Sequence, residues 1–279
     1  MIRFLTLAVL LSLSSELLAL DKLRILLTND DGYQAPGIKA VRTALIEAGH
    51  DVVLIAPATQ QSGASSSVTS GGITFNEEEP GIWAVTGRPA DAVRIGIGHI
   101  MKDNPPDLVV SGANFGNNSG VDVMISGTVG AALTALQFGF PAIAVSVEIK
   151  YSEIQDRFPG TFKAFPGAGK FIAKLIAEMN SLERKGILNV NYPALAEADI
   201  KGVRWADLSS HSILSTDCYQ DEDGTWSAGL NPAPSEERGT DAYLMARGYV
   251  TLTLLDRDIS GPAKRKHKKL ASKLDKPFN

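Results

Sequence analysis

Three polar, glycine-containing segments stand where buried strands are predicted to end, and their side chains could carry chemistry. The first is Asn29-Asp30-Asp31-Gly32, which directly follows the apolar run 23–28. Two adjacent carboxylates with neutral oxygen donors suit a hard cation such as Mg²⁺ or Mn²⁺, provided that the glycine lets both face one point. The same residue types are common in turns, so a plain turn is the alternative for this segment.

The other two segments could complete such a site or bind phosphate. Segment 61–67 (QSGASSS) offers hydroxyls and a glycine amide, although a serine-rich loop is equally typical of an exposed connection. Segment 111–118 places the neutral oxygen of Asn114 just past a predicted strand, and Ser126-Gly127-Thr128 then begins a helix. Free amides and the dipole at a helix start favour phosphate. Ser126 could equally be a helix cap that needs no ligand.

The elements that must position these segments alternate between apolar runs and amphipathic stretches. Strands are predicted over 23–28, 51–56, 107–111, 142–147 and 187–191, and helices over 36–48, 128–138 and 170–179. Apolar strands followed by helices predict an α/β fold, a Rossmann-like, doubly wound and mainly parallel sheet covered on both faces. Ligands bind outside the carboxyl ends of such strands, which is where the three segments lie.

The two ends of the chain are predicted to differ from this domain, which spans 21–260. Residues 1–20 have the order of a signal peptide, with Arg3 before a short apolar run, and so predict a secreted or periplasmic protein. A buried N-terminal element is the alternative, and the location would then be cytoplasmic. Residues 195–250 are predicted as an accessory region with a hairpin turn at 221–224. The tail 261–279 carries a basic cluster, which is typical of a solvated end.

Composition excludes several classes of function. A net charge of −4 gives no electrostatic reason for binding a nucleic-acid polymer, and no segment after residue 20 is apolar enough for a membrane span. The single cysteine, Cys218, rules out an intramolecular disulfide and a cysteine-rich metal site. No Gly-x-Ser-x-Gly elbow, Walker loop or dinucleotide fingerprint after the first strand occurs.

In their order and spacing, the polar segments resemble those of the SurE family of metal-dependent nucleotidases. The likeness extends to about Leu255, and its further matching stretches are 35–38, 87–91, 189–193, 240–241 and 248–250. Three positions depart from the family pattern, namely Arg88, Ala92 and Ile125. Arg88 and Ile125 leave the substrate preference open.

The resemblance implies a phosphomonoesterase that hydrolyses nucleoside 5′-monophosphates, with 3′-monophosphates as a further candidate, using one divalent ion, Mg²⁺ or Mn²⁺. It implies four metal ligands, of which the two carboxylates are also catalytic: Asp30, Asp31, Ser62 and Asn114. It implies a phosphate-binding set of Asn118, Ser126, Gly127 and Thr128. It also implies a homodimer or homotetramer formed with help from the C-terminal part. A catalytically silent, secreted nucleotide-binding module of the same fold is the alternative.

Overall fold

Nine strands form one sheet in the computed structural model, which describes residues 22–179, 186–230 and 235–256. The strands of the chain are β1 Arg24–Thr28, β2 Asp51–Pro57, β3 Phe75–Glu79, β4 Ile82–Val85, β5 Leu108–Phe115, β6 Ala142–Val147, β7 Ile187–Tyr192, β8 Val203–Trp205, β9 Leu214–Gln220, β10 Trp226–Leu230 and β11 Val250–Leu255. Their order across the sheet is β3-β4-β2-β1-β5-β6-β7-β11-β8, and β9 and β10 form a separate hairpin. The predicted signal peptide and basic tail lie outside the described residues.

The centre of the sheet is parallel and is buried on both faces. Strand β1 pairs in parallel with β2 and β5, and β5, β6 and β7 continue in the same direction. Only β3 against β4 and β11 against β7 are antiparallel among the described pairs of this sheet. The side chains of Ile25, Leu26 and Leu27 in β1 are all fully buried. Strands without an exposed face need helices on both sides.

In the part of the chain that the structure describes, five α-helices lie against the sheet: α1 Pro36–Glu47, α2 Pro89–Ile95, α3 Gly127–Gln137, α4 Pro159–Glu178 and α5 Asp241–Met245. Helices α1 and α4 share one apolar core with Ile25 and Leu27, whereas α2 and α3 share a second core with Leu26. Alternate residues of β1 therefore enter opposite cores, as the strand period of two requires. No helix among the described residues is long and apolar enough to cross a membrane.

Two elements begin or end away from their predicted positions. Helix α4 begins at Pro159 and not near 170, although Pro166 lies inside it. A side chain at Gly169 would lie 2.8 Å from the carbonyl oxygen of Ala40, so the glycine lets α4 approach α1 closely. Packing against α1 therefore outweighs the weak local propensity for a helix. Strand β5 runs to Phe115 and not to 111, which bears directly on the site.

The C-terminal region contributes one strand to the main sheet and a hairpin apart from it. Strand β8, inside the predicted accessory region, pairs in parallel with β11 at the edge of the sheet. The predicted turn at 221–224 joins β9 to β10, with the N–H of Asp221 donating to the carbonyl of Thr225 (2.8 Å) and Gly224 at a φ of +87°. The hairpin is exposed, and Trp226 retains 66% of its accessible surface.

Candidate active site

Asp30 is the point at which three segments of the chain meet. It follows β1 directly and is only 2% exposed. One carboxylate oxygen, Oδ1, accepts a hydrogen bond from the hydroxyl of Thr128 in α3 (2.5 Å), and its backbone carbonyl accepts one from the N–H of Gln61 (2.6 Å). A side chain at Gly127 would lie 2.7 Å from the other oxygen, Oδ2. The start of α3 and the loop 61–67 are therefore fixed against Asp30.

Asp31 lies beside the end of β5 and remains partly exposed. Its Oδ2 accepts a hydrogen bond from the backbone N–H of Phe115 (2.9 Å). The turn after it depends on Gly32, whose φ of +102° is readily adopted only by glycine, and on Asn29, whose side chain donates to the carbonyl of Gly32 (2.9 Å). This turn lets two adjacent carboxylates reach two neighbouring elements, α3 and β5.

A β-bulge sets the position of Asn114, which directly precedes the residue whose N–H bonds Asp31. Ser111 is paired with Ala144 and Asn114 with Ser146, so β5 has one more residue than β6 over this stretch. A bulge of this kind redirects the following side chains. The amide nitrogen of Asn114 donates to the carbonyl of Gly116 (2.7 Å), but its Oδ1 is buried and has no hydrogen-bond partner among the described residues. Such an atom costs about 1–3 kcal/mol if it stays unpaired, so it is available to accept a ligand. The Oδ1 atoms of Asn29 and Asn189 are also buried without a hydrogen-bond partner among the described residues.

Burial disfavours negative charge at both carboxylates. Burial, followed by the charge of Asp30, raises the pKa of Asp31 to about 6. Burial also raises the pKa of Asp30, although the hydroxyl of Thr128 and the backbone N–H groups at the start of α3 act in the opposite direction. A cation between the two carboxylates would relieve both effects, because it favours their ionised forms.

The donor set fits a hard cation, because it consists of carboxylate, amide and hydroxyl oxygens. Among the described residues no cluster of three or more His, Cys, Asp and Glu side chains could hold a metal. A site here must therefore combine the two aspartates with neutral donors. The unpartnered Oδ1 of Asn114 is such a neutral donor. Asn114 is also one of the four metal ligands that the family resemblance implies.

Ser62 is the predicted ligand that the structure does not bring into contact with the aspartates. Its side chain is exposed, and its hydroxyl accepts a hydrogen bond from the side-chain amide of Gln60 (2.8 Å). The loop that carries it is nevertheless fixed near the site, since the N–H of Ser65 donates to the carbonyl of Ile125 (3.2 Å). Ser62 remains a prediction.

The predicted phosphate-binding residues of α3 have other hydrogen-bond partners in this structure. The hydroxyl of Ser126 accepts from the N–H of Val129 (3.0 Å), which is the helix cap considered as the alternative. The hydroxyl of Thr128 is bonded to Asp30. Gly127 has no side chain, and this leaves room for the carboxylate of Asp30. The backbone N–H groups of Gly127 and Thr128 act on Asp30. Phosphate bound by this segment would share them with Asp30, and this binding stays a prediction.

Asn118 belongs to a buried polar network at the ends of β6 and β7. Its N–H donates to the side chain of Asn191 (2.8 Å), and its side-chain amide donates to the hydroxyl of Ser146 (2.9 Å). Its carbonyl accepts from the side chain of Asn189 (2.8 Å). These bonds fix the loop after β5, and no described contact joins Asn118 to segment 126–128. Its role in phosphate binding stays a prediction.

Sequence reasoning gave no role to Asp241, which joins the accessory region to the site. This fully buried carboxylate accepts hydrogen bonds from the N–H groups of Gly120 (2.9 Å) and Ser209 (3.0 Å). It thus fixes the loop between β5 and α3 to α5. The only sequence signal for this role was that residues 240–241 match the family pattern. The hydrogen bond between Gly120 and Asp241 spans 121 residues of chain, so no local pattern predicts it.

The hydrogen bond between Thr128 and Asp30 gives a first testable prediction. Thr128→Val keeps the shape of the side chain but removes the hydroxyl that orients Asp30. Loss of a group that orients a metal ligand typically costs about 10–100-fold in metal affinity or activity. We expect a loss of that size in a Mn²⁺ titration and in phosphate release.

Thr134→Val is the matched control for this change. It removes a buried hydroxyl from the same helix, where Thr134 donates only to the carbonyl of Gly130 (2.8 Å). We expect this variant to bind Mn²⁺ as the parent does. Equal losses in the two variants would contradict an orienting role for Thr128.

Fold and site together define a class of protein: a Rossmann-like α/β protein with a carboxylate pair at the carboxyl edge of its parallel sheet, next to a helix start. The family profile described as Survival protein SurE matches residues 25–214. The crystal structure of the SurE protein from Aquifex aeolicus has a TM-score of 0.70 and 32% sequence identity, covering 91% of this chain and 100% of that chain. The predicted fold is confirmed by this similarity.

Curated relatives cover most of both sequences. The protein named 5′-nucleotidase SurE of Desulfitobacterium hafniense is 36% identical over 264 residues, which span 91% of this chain and 99% of that protein. The protein of the same name from Nitratidesulfovibrio vulgaris (strain DP4) is 37% identical over 252 residues, or 85% and 95% of the two chains. The chain belongs to the survival protein SurE family.

Proposed function

We propose that this protein is a hydrolase that releases phosphate from nucleoside 5′-monophosphates, and that 3′-monophosphates form a second substrate class. The observation that carries the proposal is the carboxylate pair at the carboxyl edge of the sheet, together with the buried, unpartnered Oδ1 of Asn114, the residue before Phe115, whose N–H bonds Asp31. The names of the curated relatives agree with the predicted 5′-nucleotidase class. Nothing in these similarities supports the alternative of a catalytically silent binding module.

One divalent cation, Mg²⁺ or Mn²⁺, is part of the proposal. Asp30, Asp31 and Asn114 are the residues proposed to hold it, with Ser62 as a fourth donor that depends on a movement of its loop. Such a cation, when bound, polarises phosphoryl oxygens and lowers the pKa of water. The protein contributes the fixed position of these donors, which Thr128 and the bulge in β5 maintain.

The difference in exposure between the two aspartates suggests different roles for them in the reaction. Asp31 is partly open to solvent, so it is the better placed of the two aspartates to take a proton from the attacking water. Asp30 is buried under α3 and acts through its charge and position. Backbone N–H groups at the start of α3 stabilise charge on the phosphoryl oxygens. Water bonds to phosphorus as the bond to the nucleoside oxygen breaks, and the proton taken by Asp31 is passed to the leaving oxygen, which gives nucleoside and phosphate.

A phosphate-release assay tests the proposal. The full protein is assayed with nucleoside 5′- and 3′-monophosphates and polyphosphate, each with Mg²⁺, Mn²⁺ or a chelator. We expect release from the 5′-monophosphates in the presence of either metal and none in the presence of chelator. Nucleotide binding without release in the presence of Mn²⁺ would favour the silent module instead.

We also propose that the protein assembles as a homodimer or homotetramer through its C-terminal region. The hairpin of β9 and β10 exposes large apolar side chains, among them Tyr219, Trp226 and Leu230. Exposed apolar patches on small, separate elements are typical of protein interfaces. Light scattering should give two or four times the chain mass of 29.7 kDa, and a monomer would contradict the proposal.

Export is a separate part of the proposal. Residues 1–20 are proposed as a signal peptide that places the protein in the periplasm or outside the cell. N-terminal sequencing of the protein recovered from the producing cells tests this, and an intact N-terminus on cytoplasmic protein would contradict it.

A further inference from the structure

A cavity of about 300 Å³ opens beside Asp31 and is walled mainly by phenylalanine rings. Its lining includes Pro36 of α1 and the rings of Phe115, Phe162 and Phe165. Phe165 is almost fully buried, as expected of a core residue, but Phe162 is 43% exposed. The ring of Phe162 therefore offers an open aromatic surface next to a candidate catalytic carboxylate.

The rings support one another in defined orientations. Phe162 lies 5.4 Å from Phe115 between ring centroids and 5.9 Å from Phe165. The ring of Phe158 meets Phe115 edge-on at 5.5 Å. Such tilted and edge-to-face pairs are the favoured geometries of aromatic side chains. These contacts between the rings therefore fix the shape of this side of the cavity.

The backbone that carries part of this wall is strained. Arg157 and Phe158 both adopt left-handed conformations, with φ values of +58° and +59°. Such a conformation costs on the order of 1–3 kcal/mol for a residue with a side chain, and it is found preferentially at ligand-binding positions. Here it directs Phe158 onto Phe115 at the N-terminal end of α4.

Phe115 connects this cavity to the carboxylate site. Its backbone N–H is bonded to Asp31, and its ring lines the cavity. A ligand whose phosphate lies at the aspartates can therefore extend along Phe115 towards Phe162. The cavity volume is at the lower end of the range for small-ligand sites, about 300–1,000 Å³.

We propose that this aromatic cavity is the subsite for the planar base of the nucleotide, with Phe162 as its main stacking surface. This inference rests on the proposed nucleotidase function and names a specificity-determining residue for it. The rings offer π-faces but no hydrogen-bonding groups, so they recognise a base by stacking and tolerate different bases. The subsite therefore favours esters that carry a base over esters that lack one, and it discriminates little between purines and pyrimidines.

A second apolar surface competes for this role. Met124 and Ile125 are exposed just before the start of α3, and the carbonyl of Met124 accepts from the hydroxyl of Ser65 (2.8 Å). Neither residue lines the cavity beside Asp31. The aromatic wall is favoured over this surface because it is both concave and joined to Asp31 through Phe115.

The test compares an ester with a base and the same ester without one. With Mn²⁺, Phe162→Ala should lower kcat/KM for adenosine 5′-monophosphate by roughly tenfold to a hundredfold, since one stacked base is worth about 1–3 kcal/mol. Ribose 5-phosphate, which carries no base, should lose far less. Phe162→Tyr should restore most of the loss, because it keeps the aromatic face.

Two further measurements separate stacking from general damage. Phe138→Ala removes a ring of similar exposure (48%) at the end of α3, away from the cavity, and should leave both esters unaffected. Calorimetric binding of adenosine to the metal-free protein should weaken in Phe162→Ala. This binding does not depend on hydrolysis.

The outcomes that overturn the inference differ from those that overturn the nucleotidase proposal. Equal losses on both esters, no loss on either, or a selective loss in Met124→Ala in place of Phe162→Ala would overturn the base subsite. Absence of phosphate release from every ester would instead overturn the nucleotidase function. Adenosine binding would then still decide the subsite by itself.

Discussion

Asp30→Asn should abolish phosphate release while the protein stays folded. The substitution keeps the size of the side chain and an oxygen that can accept from Thr128, but it removes the buried charge proposed to hold the cation. Metal-ion catalysis supplies several kcal/mol of transition-state stabilisation, and its loss corresponds to about a thousand-fold or more in kcat. Phosphate release with saturating Mn²⁺ measures the effect.

Thermal unfolding shows whether the Asp30→Asn protein remains folded. Burial raises the pKa of Asp30, so its ionised form is disfavoured in the metal-free protein, and a neutral amide removes that penalty. Metal-free Asp30→Asn should therefore unfold at the same temperature as the parent or a higher one. Asp51→Asn, at the opposite end of the neighbouring parallel strand β2, is the control and should keep full activity. Retained phosphate release in Asp30→Asn would refute the assignment.

Gly130→Ala should weaken both stability and metal binding, against the expectation from helix propensity. Alanine is favoured over glycine within a helix by about 1 kcal/mol, so α3 alone would gain. A side chain at this position would lie 2.0 Å from the carbonyl oxygen of Ser65, which is too close to be accommodated without movement. Overpacking of this kind typically costs about 1–3 kcal/mol. The loop carrying Ser62 would be displaced from Asp30.

Denaturant unfolding and a Mn²⁺ titration measure the two consequences of Gly130→Ala. We expect a lower free energy of unfolding and a weaker affinity for Mn²⁺ than in the parent. Gly98→Ala is the control, since nothing lies within 4 Å of a side chain added there. A variant that is stabilised by about the helix-propensity difference and keeps its metal affinity would show that the loop need not stay against α3.

The central strands could be predicted from their apolar runs, but the bulge in β5 could not. Strand β6 was predicted as 142–147 and is observed there to the residue. Strand β5 was predicted to end at Ser111, because Gly112 and Asn114 are typical of loops. The pairing of Asn114 with Ser146 depends on a strand far away in the sequence, so no local pattern indicates that the strand continues.

The polar edge strand β3 and the first half of α4 were not predicted from the sequence. Strand β3 (FNEEE) is mostly polar, since it borders the sheet and has little apolar surface to bury. Pro159 suits the first position of α4, but Pro166 lies inside the helix and normally indicates a break. Both elements form because of contacts with distant parts of the chain and not because of their local sequence.

The sequence predicts that the polar segments lie at one edge of the sheet, but it does not predict which side chains bond one another there. Parallel strands bring the segments after β1 and β5 to one edge, and Asp30 and Asp31 indeed contact α3 and β5 there. The resemblance implies phosphate binding by the segment that contains Thr128, and the sequence does not indicate that the hydroxyl of Thr128 bonds Asp30 across 98 residues of chain. Side-chain partners at that separation are set by packing details that spacing alone does not determine.

Anomalous diffraction from Mn²⁺-soaked crystals of the full protein tests the metal centre most directly. We predict a single ion within about 2.0–2.6 Å of oxygens from Asp30, Asp31 and Asn114, so that the buried Oδ1 of Asn114 gains a partner. Manganese bound elsewhere, or an Asn114 oxygen left uncoordinated in crystals that contain the ion, would contradict the proposed centre.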